Sequence, residues 1–245
     1  MCGRFVVAKT VGEILTMFEA DEIIGEQPGI SYNVAPTQPI SIIVDRAFEK
    51  AEDGSPLGEL HREIHAARWG LVPRWSKGGP ADGAPLINAR METVLEKPSF
   101  KDSVIRRRCL VPASGYYEWV VAADGTKQPY YVNAGEDGMF GFAGLFEWWA
   151  DPTKAAGDPA RWLLSTTILT KPSAPELAHI HERNPVFLSG DTLDVWLDSS
   201  VEGDQDLLRA IASESDQVAG DALFYKVGSE VGKVASQGAQ LIRAL

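Results

Sequence analysis

Glycine and proline punctuate this chain so often, 23 and 15 times in 245 residues, that it reads as short strands joined by many turns, not as a helical bundle. A hydrophobic content of 44% supports a real core, at a length that suits one large domain or two small ones. No internal repeat or low-complexity linker divides the sequence. The economical fold is therefore one α+β domain over residues 1–245. Its core is a mostly antiparallel, barrel-like sheet with a few peripheral helices.

Local patterns fill in that outline. Residues 5–8 read as a strand tied to the core, which fixes whatever precedes them. Thr10 followed by Glu13 is a capping-box pattern, and Ile14, Leu15 and Phe18 give the helix behind it an apolar face. Strands are expected at 40–44, 65–71, 86–90, 108–112, 116–121, 129–133, 139–146, 161–169, 185–188 and 223–227. Helices are expected around 92–100, 192–197 and 205–212. Residues 45–60, rich in charge with Gly and Pro, read as an exposed turn, and 73–85 as a Gly/Pro-rich loop carrying Trp75 and Lys77.

Two cysteines, Cys2 and Cys109, do not make a disulfide framework and suit a reducing compartment. The sequence shows neither a signal-peptide pattern nor an apolar run of membrane-spanning length, so a cytoplasmic protein with no membrane partner is expected. A monomer is the simple expectation. The net charge of −11 argues on its face against nucleic acid, but phosphate responds to a local patch rather than to the total. Between Arg90 and Cys109 the balance turns basic, with Arg90, Lys97, Lys101, Arg106, Arg107 and Arg108.

Cys2 is the residue with the most chemical potential. Gly3 and the small Cys2 side chain suit removal of Met1, which leaves a thiol and a free α-amine on adjacent carbons. These groups titrate near ~8.5 and ~8, so both are partly nucleophilic around neutral pH, and together they can trap an aldehyde as a five-membered ring. The bland alternative is that residue 2 is arbitrary. Asn88 and Arg90 interrupt an apolar run at alternate positions and share one strand face, as a functional pair or as a solvent edge. Glu118, between aromatics in Gly115-Tyr116-Tyr117-Glu118-Trp119, is set for desolvation, a raised pKa and proton transfer, or is simply an exposed strand glutamate. His179-Ile180-His181-Glu182-Arg183 offers an acid/base histidine beside an arginine. As a metal pair it lacks an obvious third ligand, so no metal or other cofactor is expected.

Taken in order, these segments resemble the SOS-response-associated peptidase family. The likeness is carried by Met1-Cys2-Gly3-Arg4-Phe5, Tyr32-Asn33-Val34-Ala35-Pro36-Thr37, Arg68-Trp69-Gly70-Leu71-Val72-Pro73-Arg74-Trp75 and Asn88-Ala89-Arg90-Met91-Glu92-Thr93. It continues through Arg108-Cys109-Leu110-Val111-Pro112-Ala113-Ser114-Gly115-Tyr116-Tyr117-Glu118-Trp119, His181-Glu182-Arg183-Asn184-Pro185 and a Val227-Gly228 to Val231-Gly232 tail. The likeness spans essentially the whole chain. Asn184 departs from it, since the family more often has methionine before that proline.

The resemblance implies a protein that senses abasic sites in single-stranded DNA and cross-links to them through the mature N-terminal cysteine, shielding the lesion during the damage response. Cys2 would be the nucleophile, with its amine forming an imine with the ring-opened sugar and its thiol closing a thiazolidine. Glu118 would relay protons, His181 would assist ring opening and reversal, and Asn88 would hold the linked sugar and the Cys2 terminus. Arg4, Arg90 and Arg183 would contact phosphates, and Trp75 and Trp119 would stack on bases. Two other readings stay open. One is an N-terminal-nucleophile amidohydrolase or peptidase using Cys2, with self-processing of Met1 as a limited form of it. The other is a non-enzymatic reader of damaged single strands.

Overall fold

The computed structural model of the chain describes residues 2–50 and 56–245. In chain order the elements begin with β1 (Phe5–Val7), α1 (Val11–Met17), β2 (Glu22–Ile24), β3 (Ser31–Val34), β4 (Pro39–Lys50), β5 (Pro56–Trp69) and β6 (Asn88–Arg90). They continue with α2 (Lys101–Arg106), β7 (Arg108–Ala113), β8 (Gly115–Val121), β9 (Lys127–Asn133), β10 (Phe140–Ala150) and β11 (Trp162–Pro172). The last are β12 (Arg183–Pro185), β13 (Phe187–Leu188), α3 (Gly190–Leu197), α4 (Gln205–Gly220) and β14 (Leu223–Lys226).

Strand pairing closes a ring. β5 pairs with β4, β4 with β7, β7 with β10 and β10 with β11, all antiparallel; β11 then returns to β5 through a parallel seam at Ser165–Arg68 and Thr166–Trp69. Closure removes the open edges that a flat sheet of these strands would present. A second, wholly antiparallel sheet runs β14-β9-β8-β1-β3. The expected α+β architecture with a mostly antiparallel, barrel-like core is the one observed.

The two-residue period of a strand explains how the core divides. Ile40, Ile42 and Val44 of β4, Cys109 and Val111 of β7, and Phe140 and Phe142 of β10 share the inner cluster with Leu164 and Ile168 of β11. Residues at the alternate positions, such as Ile43, Leu110, Ala143 and Leu169, face outward and meet Trp196 of α3 and Leu207, Leu208 and Ile211 of α4. Gly144 is required inside the ring, because a β-carbon there would lie 2.8 Å from Cys109 Sγ.

Four local expectations are corrected. Residues 45–60 are not simply a turn: β4 runs through Lys50 and β5 starts at Pro56, so the charged stretch belongs to a long hairpin, with 51–55 outside the described residues. The helix expected over 92–100 is a 3₁₀ turn at Met91–Thr93 followed by α2 from Lys101, because Pro98 has no N–H for a helix to continue through. The strand expected at 185–188 divides into β12 and β13, and α4 extends well past 212, held by buried Ser215, whose Oγ accepts from the Phe187 N–H at 3.0 Å.

The capping box at Thr10 and Glu13 forms as expected, with Ile14 and Phe18 buried beneath it. Among the described residues no helix is long and apolar enough to cross a membrane.

Candidate active site

β1 is the anchor that places Cys2. It lies between β3 and β8, with Phe5 opposite both Val34 and Tyr116, and the Tyr117 N–H donates to Arg4 O at 2.9 Å. The Phe5 ring drops into the barrel edge-on to Trp69 at 5.0 Å and to Phe142 at 6.3 Å. Burial of a phenylalanine contributes roughly 1.5–3 kcal/mol, enough to hold a chain end that would otherwise fray.

Cys2 is fully buried in the inner cluster. Its backbone carbonyl accepts from Asn88 Nδ2 at 2.9 Å, and its Sγ lies 4.0 Å from Arg4 O. Burial pushes the thiol far above its ordinary range, and the nearby Glu118 carboxylate pushes it the same way. The resting sulfur is therefore a neutral thiol.

Glu118 is buried on β8, on the strand face it shares with Tyr116 two residues before it. Tyr116 is buried too, and burial raises its hydroxyl well above the normal range, with the Glu118 charge acting in the same direction. Sequence reasoning missed Tyr116 as a site residue. Its signal was the period-2 spacing from Glu118, hidden in a run of aromatics that read as core.

β6 carries Asn88 and Arg90 on one face, with Ala89 buried between them, because β6 pairs in parallel with β11 at Ile168, Leu169 and Thr170. Asn88 Oδ1 is buried and accepts no hydrogen bond among the described residues. It is thus an acceptor left open beside Cys2.

The arginines part company. Arg90 is exposed beside Glu92. Arg4 is half-buried, and its Nη1 donates to Asn33 Oδ1 at 2.9 Å and to Val231 O at 3.1 Å. Arg183 is buried, forking onto both Glu92 oxygens at 2.7 and 2.8 Å and donating to Thr170 O. That pairing holds the Glu92 carboxyl below the usual carboxylate range. Arg108, counted in the basic run, is internal as well, since its guanidinium donates to five carbonyls, those of Val104, Ile105, Trp196, Asp198 and Val201.

His181 and His179 diverge. His179 packs against the Phe224 ring at 5.0 Å. The Nδ1 of His181 lies 3.0 Å from the N–H and 3.1 Å from the carbonyl of Arg183, which pins its ring, and the preceding residue, Ile180, belongs to the cluster that holds Cys2. Among the described residues no three His, Cys, Asp or Glu side chains are grouped to hold a metal. Asn184 keeps the local packing intact, accepting from Ala174 N and donating to Pro185 O.

The tryptophans differ in kind. Trp75 is 61% exposed on a loop pinned from below, where Trp149 Nε1 donates to Ser76 O at 2.8 Å. Gly79 (φ +61°) lets that loop cross the Trp149 ring, where a β-carbon would come within 2.4 Å. Trp119 is only partly exposed and packs on the opposite face of β8 from Glu118, against Tyr117, Val227 and Val231.

The sequence profile described as SOS response associated peptidase (SRAP) matches residues 1–234. The chain is 34% identical to the abasic site processing protein YoqW of Bacillus subtilis over 245 residues, covering all of both chains. It is 28% identical to the abasic site processing protein YedK of Escherichia coli, covering 99% of each. It is 33% identical to HMCES of Rattus norvegicus, covering 74% of this chain and 57% of that one. A crystal structure of a Bacteroides thetaiotaomicron protein superposes over the full length of both chains with a TM-score of 0.71 at 20% identity, which speaks to fold alone.

Proposed function

The chain belongs to the SOS response associated peptidase (SRAP) family, and from that premise we propose that it processes abasic sites in DNA by forming a thiazolidine between Cys2 and the ring-opened sugar of a single strand. The observation that carries this reading is the environment of Cys2. Its backbone is gripped by Asn88 and its sulfur lies buried within the field of Glu118.

The chemistry follows from which nucleophile is ready first. Once Met1 is removed, Cys2 carries an α-amine, a group that ordinarily titrates near ~8 and so is partly neutral at physiological pH, whereas burial holds the thiol protonated. The neutral amine attacks the sugar aldehyde, and the carbinolamine takes a proton from solvent and loses its hydroxyl as water to give an iminium. That proton returns to solvent through Glu118 after ring closure. The imine places an electrophilic carbon beside Sγ, and its fixed positive charge favours loss of the thiol proton as sulfur bonds, so the thiol reacts after the amine.

Glu118 takes that proton as sulfur bonds to the imine carbon. The C=N bond becomes C–N, and the ring nitrogen ends with one hydrogen. The net change is aldehyde plus aminothiol giving thiazolidine plus one water. Asn88 Oδ1, the open buried acceptor, receives an N–H of the Cys2 amine or a sugar hydroxyl. His181 exchanges a proton with the sugar during opening and reversal.

Arg4 and Arg90 contact backbone phosphate beside the site, and Trp75 supplies a base-stacking face, a contact worth ~1–3 kcal/mol whatever the base. Arg183 holds Glu92 and the β11–β12 pairing in place, and Trp119 supports β8 from behind.

Denaturing mass spectrometry after incubation with a single-stranded oligonucleotide bearing one abasic site tests the reading. The expected product is a one-to-one adduct of DNA mass minus water that maps to Cys2 and is absent from Cys2→Ala. An unmodified protein lacking Met1, or full adduct on Cys2→Ala, removes the proposal.

A further inference from the structure

The ring of strands has two ends, and only one of them belongs to Cys2. That end lies where β11 passes Ile168 and Thr170 beside β6. Four residues earlier along β11, about 13 Å at 3.3 Å per residue, the inward-facing Leu164 marks the other end. There the barrel opens into a cleft of about 390 Å³, within the size range of small-ligand sites.

The cleft is built from the inner register of the ring. Val44, Phe146 and Leu164 form an apolar floor, and Trp148, 41% exposed, stands at its side. Trp148 lies opposite Leu164, so Trp162, two residues before Leu164 and 52% exposed, projects from the same face as its diagonal neighbour. Two exposed indoles at one barrel mouth have no role in the core.

The rim is cationic, with Arg46, Arg106 and Arg107 all lining the cleft. The acids that pair with them, Glu63, Glu147 and Glu202, do not line it: Glu63 and Glu147 are buried behind, and Glu202 lies outside. Asp45, the acid in the lining, is engaged by Arg62 through both carboxylate oxygens, at 2.9 and 3.1 Å. Arg107 is incompletely satisfied. Its Nη2 is 3.0 Å from Glu147 Oε2 but not aligned as a hydrogen bond, and its buried Nε donates to nothing among the described residues.

We propose that this second mouth of the barrel is a binding site for a nucleoside phosphate, its base laid against Trp148 and its phosphate held by Arg46 and Arg107. Planar guanidinium forks match phosphate oxygens, and an indole face accepts any base. The phosphate can come from a free nucleotide or from a nucleotide within a strand. The site is independent of the Cys2 chemistry.

Calorimetric titration with deoxyadenosine monophosphate, deoxyadenosine, inorganic phosphate and an oligo(dA) without terminal phosphates tests it, on wild type, Arg46→Ala, Trp148→Ala and Cys2→Ala. The monophosphate should bind wild type and Cys2→Ala alike, and at least tenfold more weakly to Arg46→Ala and Trp148→Ala. The nucleoside and phosphate alone should each bind at least tenfold more weakly than the monophosphate. Tighter binding of the oligonucleotide than of the monophosphate, with the excess lost in Arg46→Ala and Trp148→Ala, assigns the site to a strand, and oligonucleotide binding that ignores both substitutions assigns it to a free nucleotide. Should Trp148→Ala lower the melting temperature, Arg46→Glu carries the same test on an exposed side chain. No monophosphate binding in the millimolar range, equal binding by the cleft variants, or loss of binding in Cys2→Ala would overturn the assignment.

Discussion

Asn88 reaches across 86 positions of sequence to donate its amide to the backbone carbonyl of Cys2 at 2.9 Å, so that β6 grips the chain end on which the proposed chemistry depends. The other half of the same amide, Oδ1, is buried and accepts no hydrogen bond among the described residues. Asn88→Asp keeps the shape but turns the donor into an acceptor facing a carbonyl. A buried hydrogen bond replaced by an unsatisfied pair costs about 1–3 kcal/mol. The abasic-site capture rate, read by gel shift under denaturing conditions, should fall about 10–100-fold in Asn88→Asp. An unchanged rate would show that Asn88 positions nothing.

Asn33 is the corresponding hub for Arg4. Fully buried on β3, it accepts from Arg4 Nη1 and donates to the carbonyls of Val231, Lys233 and Ser236 in the C-terminal strap. Asn33→Ala leaves three carbonyls and a guanidinium without this partner, a loss of about 2–4 kcal/mol. For a chain this size the melting temperature should drop by about 4–16 °C. The strap should become the first site cut in limited proteolysis. Asn33→Asp retains an acceptor for Arg4 but not the donor to the strap, so it should lose the strap's protection while keeping more of the capture rate than Asn33→Ala.

The pair between Arg183 and Glu92 predicts a pH signature. Glu92 is held below its ordinary pKa by Arg183, so its ionised form favours the folded state. That contribution is fully present above the unfolded carboxylate value near ~4.3 and disappears as pH falls through the lower folded value. Wild type should therefore melt higher than Glu92→Gln at neutral pH, and the gap should close on acidification below about pH 4. A gap that stays constant with pH would mean that the ion pair adds nothing to stability.

The local elements were legible in the sequence where a short-range rule governs them. The Thr10–Glu13 box and the β1 strand ahead of it followed from spacing and neighbours, whereas Glu118 was left open between a buried and an exposed carboxylate and the fold buries it. The parallel seam between Arg68 and Ser165 that closes the barrel was not legible, because nothing in either strand names a partner nearly a hundred residues away. The hairpin through 45–60 was misread because its alternation carries charges, such as exposed Arg46 and Glu59, which match a turn as well as a strand. Charge was equally ambiguous for the arginines. Arg90, Arg108 and Arg183 look alike in sequence, yet only the fold supplies the Glu92 and the five carbonyls that take two of them out of play. Tyr116 passed as core for the same reason, since its closeness to Cys2 is a cross-strand relation.

The state of the Cys2 thiol predicts its reactivity before any DNA is present. Burial and Glu118 both keep it protonated, so iodoacetamide at pH 8 should label Cys2 more than tenfold more slowly than free cysteine. Unfolding in urea should restore the ordinary rate. Cys109, buried and pushed up to about 12, should behave the same way. Fast alkylation of folded Cys2 would point to a thiolate-first mechanism and against the amine-first order proposed above.

Trp75 and Trp149 make a matched contrast on one loop. Trp149 is buried and fixes the loop through Ser76 O, with Gly79 pressed against its ring. Trp75 stands on that loop in solvent and buries little. Trp149→Ala should cost about 3–5 kcal/mol of stability, the range for a large aromatic removed from a packed site. Trp75→Ala should change stability by less than about 0.5 kcal/mol, as exposed substitutions do. Its effect belongs on the strand instead: lost base stacking of ~1–3 kcal/mol corresponds to a fall of about 5–150-fold in affinity for a single-stranded oligonucleotide, read by fluorescence anisotropy in the Cys2→Ala background so that no covalent product contributes. If Trp75→Ala binds the oligonucleotide as tightly as its parent while melting at the same temperature, the exposed indole is not a stacking surface, and the strand must run along Arg4 and Arg90 without it.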